Sequence, residues 1–245
     1  LGPFATENSR EILRENLGLN RPIYIQYYLW LKGYIQGDLG VSVSFNIPVT
    51  TILKERVYNS FILTFAAFAI AVTFGFIGGL LAARNRFSIF DRFSTIFTLI
   101  LASSPPYWLG LVLVYFLSLE TKLLPVSGMY DPRNPGGFFD VLRHVILPSF
   151  TAALIPMAVI FRLTRSGVID QLDLQYIQSV RARGLSEISV FFKHVMRNIL
   201  APIINISGLQ IGVIFGTALF SEVVFNWPGV GLLVFTAIGA RDVPV

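Results

Sequence analysis

The sequence predicts an all-α integral membrane protein, and three observations carry that prediction. Of 245 residues, 54% are hydrophobic and only 13% are charged, about half the charged share of a soluble domain; mean hydropathy is +0.66. The apolar residues gather into four long runs, at about 61–83, 93–119, 145–163 and 199–225, each close to the ~20 residues needed to cross a bilayer. The basic residues crowd into two of the connections between those runs, where they set orientation. The net charge of +5 is thereby accounted for, and a nucleic-acid partner is not expected. There is no cysteine, and His144 and His194 are the only histidines and lie far apart. A disulfide framework, a thiolate metal site and a histidine relay are excluded, so no metal-ligating residue is expected.

Residues 1–60 begin with Pro3, Glu7, Arg10, Glu11, Arg14 and Glu15, too polar for a signal peptide. They read as a folded external segment. Asn8 or Ser9 is placed to cap a short helix through about Leu17, ended by Gly18. Pro22 to Leu31, with Tyr24, Tyr27, Tyr28 and Trp30, reads as an aromatic helix anchored at a membrane interface.

Phe61 to Ala83 runs 23 residues without a charge. Along it Ala67, Ala71, Gly75, Gly79 and Ala83 recur every four residues, a stripe on which a neighbouring helix can approach closely. Arg84, Arg86 and Arg92 follow, offset only by Asp91, which makes this loop cytoplasmic. The second run, 93–119, carries Ser103, Ser104, Pro105, Pro106 and Tyr107 at its centre. Two prolines remove donors from the ladder, so this helix is expected to kink or break at mid-depth, as a pathway wall or as a packing kink.

Glu120 to His144 has balanced charge and many Pro and Gly residues, which suits an external loop. The third run, 145–163, contains Pro148 and Pro156. Arg162 to Arg197 then holds six basic residues against three acids, and 166–198 is expected on the same cytoplasmic side as the Arg84 loop. Within it Ile188, Phe191, Phe192, Val195 and Ile199 recur at helical spacing among basic residues, after a break at Gly184. The fourth run, 199–225, carries Gly208, Gly212 and Gly216 at four-residue intervals with Gln210 between them, and Glu222 toward its outer end. Such a stripe means close packing or a sliding seam, and an acid in an apolar run is a candidate functional residue. Residues 226–245, with Trp227 to Gly231 as a turn and an apolar stretch from Leu232 to Ala240, are expected outside. Four spans cannot easily export sixty polar residues first. The chain is therefore expected to be a piece of a longer one that has lost at least one span before Leu1.

No GxxxxGK[ST], HExxH or GxSxG occurs, so neither a nucleotide P-loop nor the commonest hydrolase motifs are present and no catalytic residue is expected. Tyr176, Arg181, Ala182, Arg183, Gly184 and Leu185, followed by His194, Arg197 and Asn198, resemble the EAA-type coupling loop of ABC importer permeases of the dipeptide/oligopeptide (and nickel) subfamily. Where the general motif has Glu-Ala-Ala, this chain has Gln178, Ser179 and Val180. Arg21 to Leu31, Gly37 to Gly40, Ser104 to Gly110, Gly208 to Gly212, Phe225 to Gly231 and Arg241 to Pro244 are similar to the same subfamily in the same order, so the resemblance covers nearly the whole chain.

The resemblance implies a type I ABC importer permease fold of six spans, four of them present here. It implies a second permease, two cytoplasmic ATP-binding subunits and an external solute-binding protein as partners, with ATP and Mg held by the ATPases and no cofactor in this chain. It assigns ATPase coupling to Tyr176, Ser179, Arg181, Ala182, Arg183, Gly184 and Leu185. The pathway and helix-packing candidates are Ser103, Ser104, Pro105, Pro106, Tyr107, Gly208, Gln210, Gly212, Gly216 and Glu222. A secondary transporter or channel is the alternative, and needs ion-coordinating groups at mid-depth. A scaffold of a membrane complex would instead undergo no nucleotide-dependent change.

Overall fold

A computed structural model describes residues 20–133 and 136–244; the helix expected before Gly18 lies outside them. The chain divides into two compact units, residues 1–54 with 237–245, and 55–236.

In the first unit, α1 (Ile23–Ile35) follows Pro22 and has no buried residue. Tyr27, Trp30 and Tyr34 stack along it, with ring centroids 6.0 and 5.7 Å apart. Gly37 and Gly40 take positive φ and turn the chain into a narrow hairpin closed by the Val41–Pro48 bridge. Asp242 holds that hairpin: its carboxylate accepts from Ser42 Oγ at 2.5 Å and from the amides of Val43 and Ser44 at 3.0 Å each.

The second unit is helical. α2 (Val49–Arg84) has 36 residues. It starts twelve positions before the apolar run because the charged turn Lys54, Glu55, Arg56 bounds a hydrophobic stretch but not a helix. Its small-residue stripe lies on α5 (Phe138–Leu172): a Cβ at Gly75 would come within 2.8 Å of the Met157 carbonyl oxygen, and one at Gly79 within 2.6 Å of that of Phe161. Ala67 and Ala71 are fully buried on the same face. Such contact needs residues without side chains, and that is why the stripe repeats every four positions.

α3 (Ile89–Ser103) begins at a Ser88 cap that accepts from the Asp91 amide, while the Asp91 carboxylate accepts from the Phe87 amide at 3.0 Å, a reciprocal cap. α4 (Pro106–Leu113) opens with a proline at its first turn and continues as a π-helical segment, Val114–Glu120. The two arms are bent by 110° at Ser104 and Pro105, both in extended conformation. The run 93–119 is thus two short arms around a corner rather than one rod, and each arm alone is under the ~20 residues that span a bilayer.

α5 is the inner helix: 78% of its most apolar window is buried, against 28% for α2 and for the 187–224 helix. It runs through Pro148 and Pro156 without interruption. Pro156 cannot donate to the Ala152 carbonyl, and Thr217 Oγ1 takes that place at 3.0 Å; Ser221 Oγ donates to the Pro148 carbonyl at 2.7 Å. These hydroxyls bind α5 to α8 (Met196–Val224). Between them come α6 (Gln175–Ala182) and α7 (Glu187–Val190), which passes through a π turn, Phe191–Val195, into α8. α9 (Val230–Ala240) closes the chain's helices. Among the described residues there are no strands beyond the one bridge.

Candidate coupling elbow and pathway residues

α6 and α7 meet at an elbow whose vertex is Gly184, at φ +81° with nothing near a would-be Cβ. An L residue is strained in this conformation, so glycine is what allows the turn. Arg181 crosses the vertex to Glu187, Nε to Oε1 at 2.8 Å and Nη2 to Oε2 at 3.0 Å. Ile177, Val190 and Val195 are fully buried and Ile199 nearly so; they fasten the elbow to the unit beneath. Tyr176, Ser179, Arg181, Ala182, Arg183, Gly184 and Leu185 are all on the exposed side. Of the helically spaced apolar residues read from the sequence, Ile188 and Phe192 point outward, 72% and 64% exposed. The elbow therefore presents apolar residues within a basic surround that includes Arg183, Lys193 and Arg197, above an open concavity lined by Phe192, Lys193, His194, Arg197 and Asn198. Around Tyr176 three side chains converge. Tyr176 Oη and Asn198 Nδ2 both donate to Gln171 Oε1, at 3.1 and 3.0 Å, and Asn198 Nδ2 also lies 2.9 Å from Tyr176 Oη.

The pathway candidates are dispersed. Ser103, Ser104, Pro105, Pro106 and Tyr107 form the corner between α3 and α4, where Ser104 Oγ donates back to the Ile100 carbonyl at 2.9 Å and Tyr107 is exposed. Gly208, Gly212 and Gly216 lie along α8 with nothing within 4 Å of an added Cβ, so the stripe that the sequence marks for close packing is unfilled among the described residues. Gln210 points inward and is buried. α4 meets α8 beyond the stripe, where Gly110 sits against Phe225 and Val224.

Glu222 is fully buried. Its Oε1 accepts from Ser60 Oγ at 2.5 Å and its Oε2 from the Gly231 amide at 2.6 Å. Ser60 Oγ in turn accepts from the Val230 amide, Asn59 Nδ2 donates to the Pro228 carbonyl, and Trp227 Nε1 donates to the Asn59 carbonyl. The carboxylate thus fills the space left by Gly229 and Gly231, where any Cβ would collide with it. It clamps the 225–231 turn to α2.

Sequence reading gave no role to Gln171, Asn59 or Ser60, which are themselves uncharged and belong to no periodic pattern. It saw Asp91 only as an offset to three arginines. In the fold Asp91 is almost fully buried and takes Arg165 in a bidentate pair, Nε to Oδ1 at 2.5 Å and Nη2 to Oδ2 at 2.8 Å, joining α3 to α5.

Residues 75–245 match the family described as the binding-protein-dependent transport system inner membrane component. The dipeptide transport system permease protein DppB of Escherichia coli (strain K12) is 35% identical over 263 aligned positions, covering 99% of this chain and 77% of that protein. The oligopeptide transport system permease protein AppB of Bacillus subtilis (strain 168) is 36% identical over 246, covering 100% and 78%. Among solved structures, the MetNI methionine ABC transporter in an inward-facing form superposes with a TM-score of 0.58 at 15% identity, over 76% of this chain and 80% of that one; this likeness speaks to fold and supports the all-α, type I permease architecture. The alternative of a secondary transporter or channel gives way to these matches. The chain is a multi-pass cell-membrane protein of the binding-protein-dependent transport family, the permease component of an ABC importer.

Proposed function

We propose that the chain forms, with a second similar permease, the pathway of a peptide importer, and that the elbow at Gly184 receives the motion of cytoplasmic ATPase subunits. The observation that carries this reading is the elbow itself: exposed Leu185, Ile188 and Phe192 set among Arg181, Arg183, Lys193 and Arg197, on a glycine vertex. A surface of that composition suits a cleft in a soluble partner, because apolar side chains supply the buried contact and cations at the rim supply orientation.

In this reading residues 166–198 face the cytoplasm, and 1–60 and 226–245 face outward toward a solute-binding protein. Two ATP-binding subunits hold ATP and Mg, since this chain has no P-loop. The relatives named for dipeptide and oligopeptide transport favour a peptide as the solute. The corner Ser103–Tyr107 and the unfilled glycine face of α8 are the candidate walls. ATP hydrolysis would then act on the spans through a hinge rather than through chemistry in the membrane.

The test is purification of the full-length protein with its associated subunits, beside a Gly184→Val variant. A pair of P-loop ATPases in the parent complex, with substrate-stimulated hydrolysis lost and assembly kept in Gly184→Val, is the expected result. A variant that imports and hydrolyses like the parent would remove the elbow from the mechanism.

A further inference from the structure

The three side chains beneath the elbow belong to three different elements. Gln171 is in the last turn of α5, Tyr176 in the first turn of α6, and Asn198 in the first turn of α8. A single acceptor, Gln171 Oε1, takes both Tyr176 Oη and Asn198 Nδ2, and the two donors also touch each other.

The apolar anchors of α6 are Ile177, fully buried, and Val180, half-buried against the same core. Apolar contact fixes depth but is not directional, so these two residues alone leave α6 free to roll about its axis. Hydrogen bonds have preferred angles, and the triad supplies the missing orientation. The tie is placed where the regular helical ladder is interrupted. α8 is entered through the π turn Phe191–Val195. Pro202 lies inside α8 and, lacking an N–H, leaves the Asn198 carbonyl without its helical donor. Just below, α5 faces Ile199 of α8 at Gly167, where even an added methyl group would meet Ile199 only at ordinary contact distance. A force on the elbow reaching only one helix would deform that irregular base; Gln171 shares it between both.

We infer that Gln171 and Asn198 are positioning residues for energy coupling, which make α6 move as one body with α5 and α8. This rests on the coupling role proposed above for the elbow. Tyr176 and Asn198 are exposed and Gln171 is half-buried, so their bonds add little to folding stability, and their removal acts on transmission instead.

The experiment uses the full transporter with its co-purifying ATPase subunits, reconstituted in liposomes with its solute-binding protein, and dialanine as probe. ATP hydrolysis is read with and without the loaded binding protein. Gln171→Leu removes the shared acceptor and is expected to lower the ratio of stimulated to basal hydrolysis about fivefold, while Gln171→Glu keeps an acceptor for both donors and stays within about twofold. Tyr176→Phe falls between them, because the Asn198 to Gln171 bond survives. Basal hydrolysis and ATPase subunit content are unchanged in the two Gln171 variants. A Gln171→Leu transporter with the parent's ratio, equal losses in the Leu and Glu variants, or a complex depleted of ATPase subunits overturns the inference. A parent that carries no ATPase subunits overturns the coupling reading and this inference with it.

Discussion

Arg181 and Glu187 grip each other across Gly184 with two parallel hydrogen bonds, of 2.8 and 3.0 Å. The pair is open to solvent, with 40% and 71% of the two side chains exposed, and exposed pairs contribute only about 0–1 kcal/mol to stability. Its geometry bridges the two arms of the elbow across the Gly184 vertex. Glu187→Gln is expected to leave thermal stability of the purified complex nearly unchanged while lowering stimulated ATP hydrolysis, and the exchange Arg181→Glu with Glu187→Arg to restore it. Single variants with full stimulation would show that the pair is merely a surface contact.

Asp91 and Arg165 are a different case, because Asp91 is almost entirely buried while Arg165 keeps 26% of its side chain exposed. Removing one partner of a buried pair typically costs about 3–5 kcal/mol, and the exposure of Arg165 brings the expectation for Asp91→Ala to about 2–4 kcal/mol. Asp91→Leu with Arg165→Met should be less destabilised than either single change. Heat-induced loss of the monodisperse peak in detergent is the measurement; additive losses would contradict the pairing.

Thr217 is predicted to matter because of Pro156. Thr217→Val leaves the Ala152 carbonyl without its side-chain donor and should cost about 1–3 kcal/mol. Pro156→Ala returns a backbone N–H to that carbonyl, so in its background the Thr217→Val cost should shrink by more than half. An undiminished cost would mean that the hydroxyl serves some other contact.

Gly229 and Glu222 should be strongly non-additive. Gly229→Ala forces a methyl group into the carboxylate's place and is expected to cost about 1–3 kcal/mol through overpacking. Once Glu222→Ala has emptied that space, the further change should cost little. Equal costs in both backgrounds, from a double-mutant cycle of thermal stability, would place the strain elsewhere.

The hairpin held by Asp242 gives a pH prediction. The hydrogen bond from Ser42, and those from the Ser44 and Val43 amides, lower the carboxyl pKa below its ordinary value against an opposing cost of burial. A group whose folded pKa is lowered stabilises the folded form above the unfolded value, about 3.9, and loses that contribution as pH falls through the lower folded value. Amide exchange at Val43 and Ser44, corrected for intrinsic rates, should thus show constant protection from neutral pH down to about 4 and a decline below it. Asp242→Asn should weaken protection at every pH; protection in that variant equal to the parent's would dismiss the carboxylate as the holder.

What could be read from the chain alone follows from how local each signal is. The stripe Ala67 to Ala83 points to a close helix contact because small side chains at a four-residue period share one helix face, and its partner is Met157 to Thr164 of α5. The break at Ser104 to Pro106 was legible because proline chemistry is local, but the 110° bend was not, since the angle depends on what the two arms meet. The stripe at Gly208 to Gly216 was legible as a pattern and misleading as a contact within the chain, because small residues do not tell which surface they fit. Asp91 and Glu222 each find partners more than seventy residues away, and a lone acid in a sequence does not name its donors. The elbow was visible through its charges and Gly184, whereas Gln171, neutral and outside every periodic pattern, was not.

The Asp242 carboxylate closes a hairpin whose own residues lie about 200 positions earlier. During synthesis, Ser42, Val43 and Ser44 leave the ribosome long before the group that completes their hydrogen bonds exists. At roughly 5–20 residues per second, that is a wait of about 10–40 s. The bend therefore matures only after α2 to α9 have been made, although its residues come early in the sequence. Any nascent chain arrested before Asp242 carries the Ser42 to Ser44 turn without the carboxylate that accepts its hydrogen bonds.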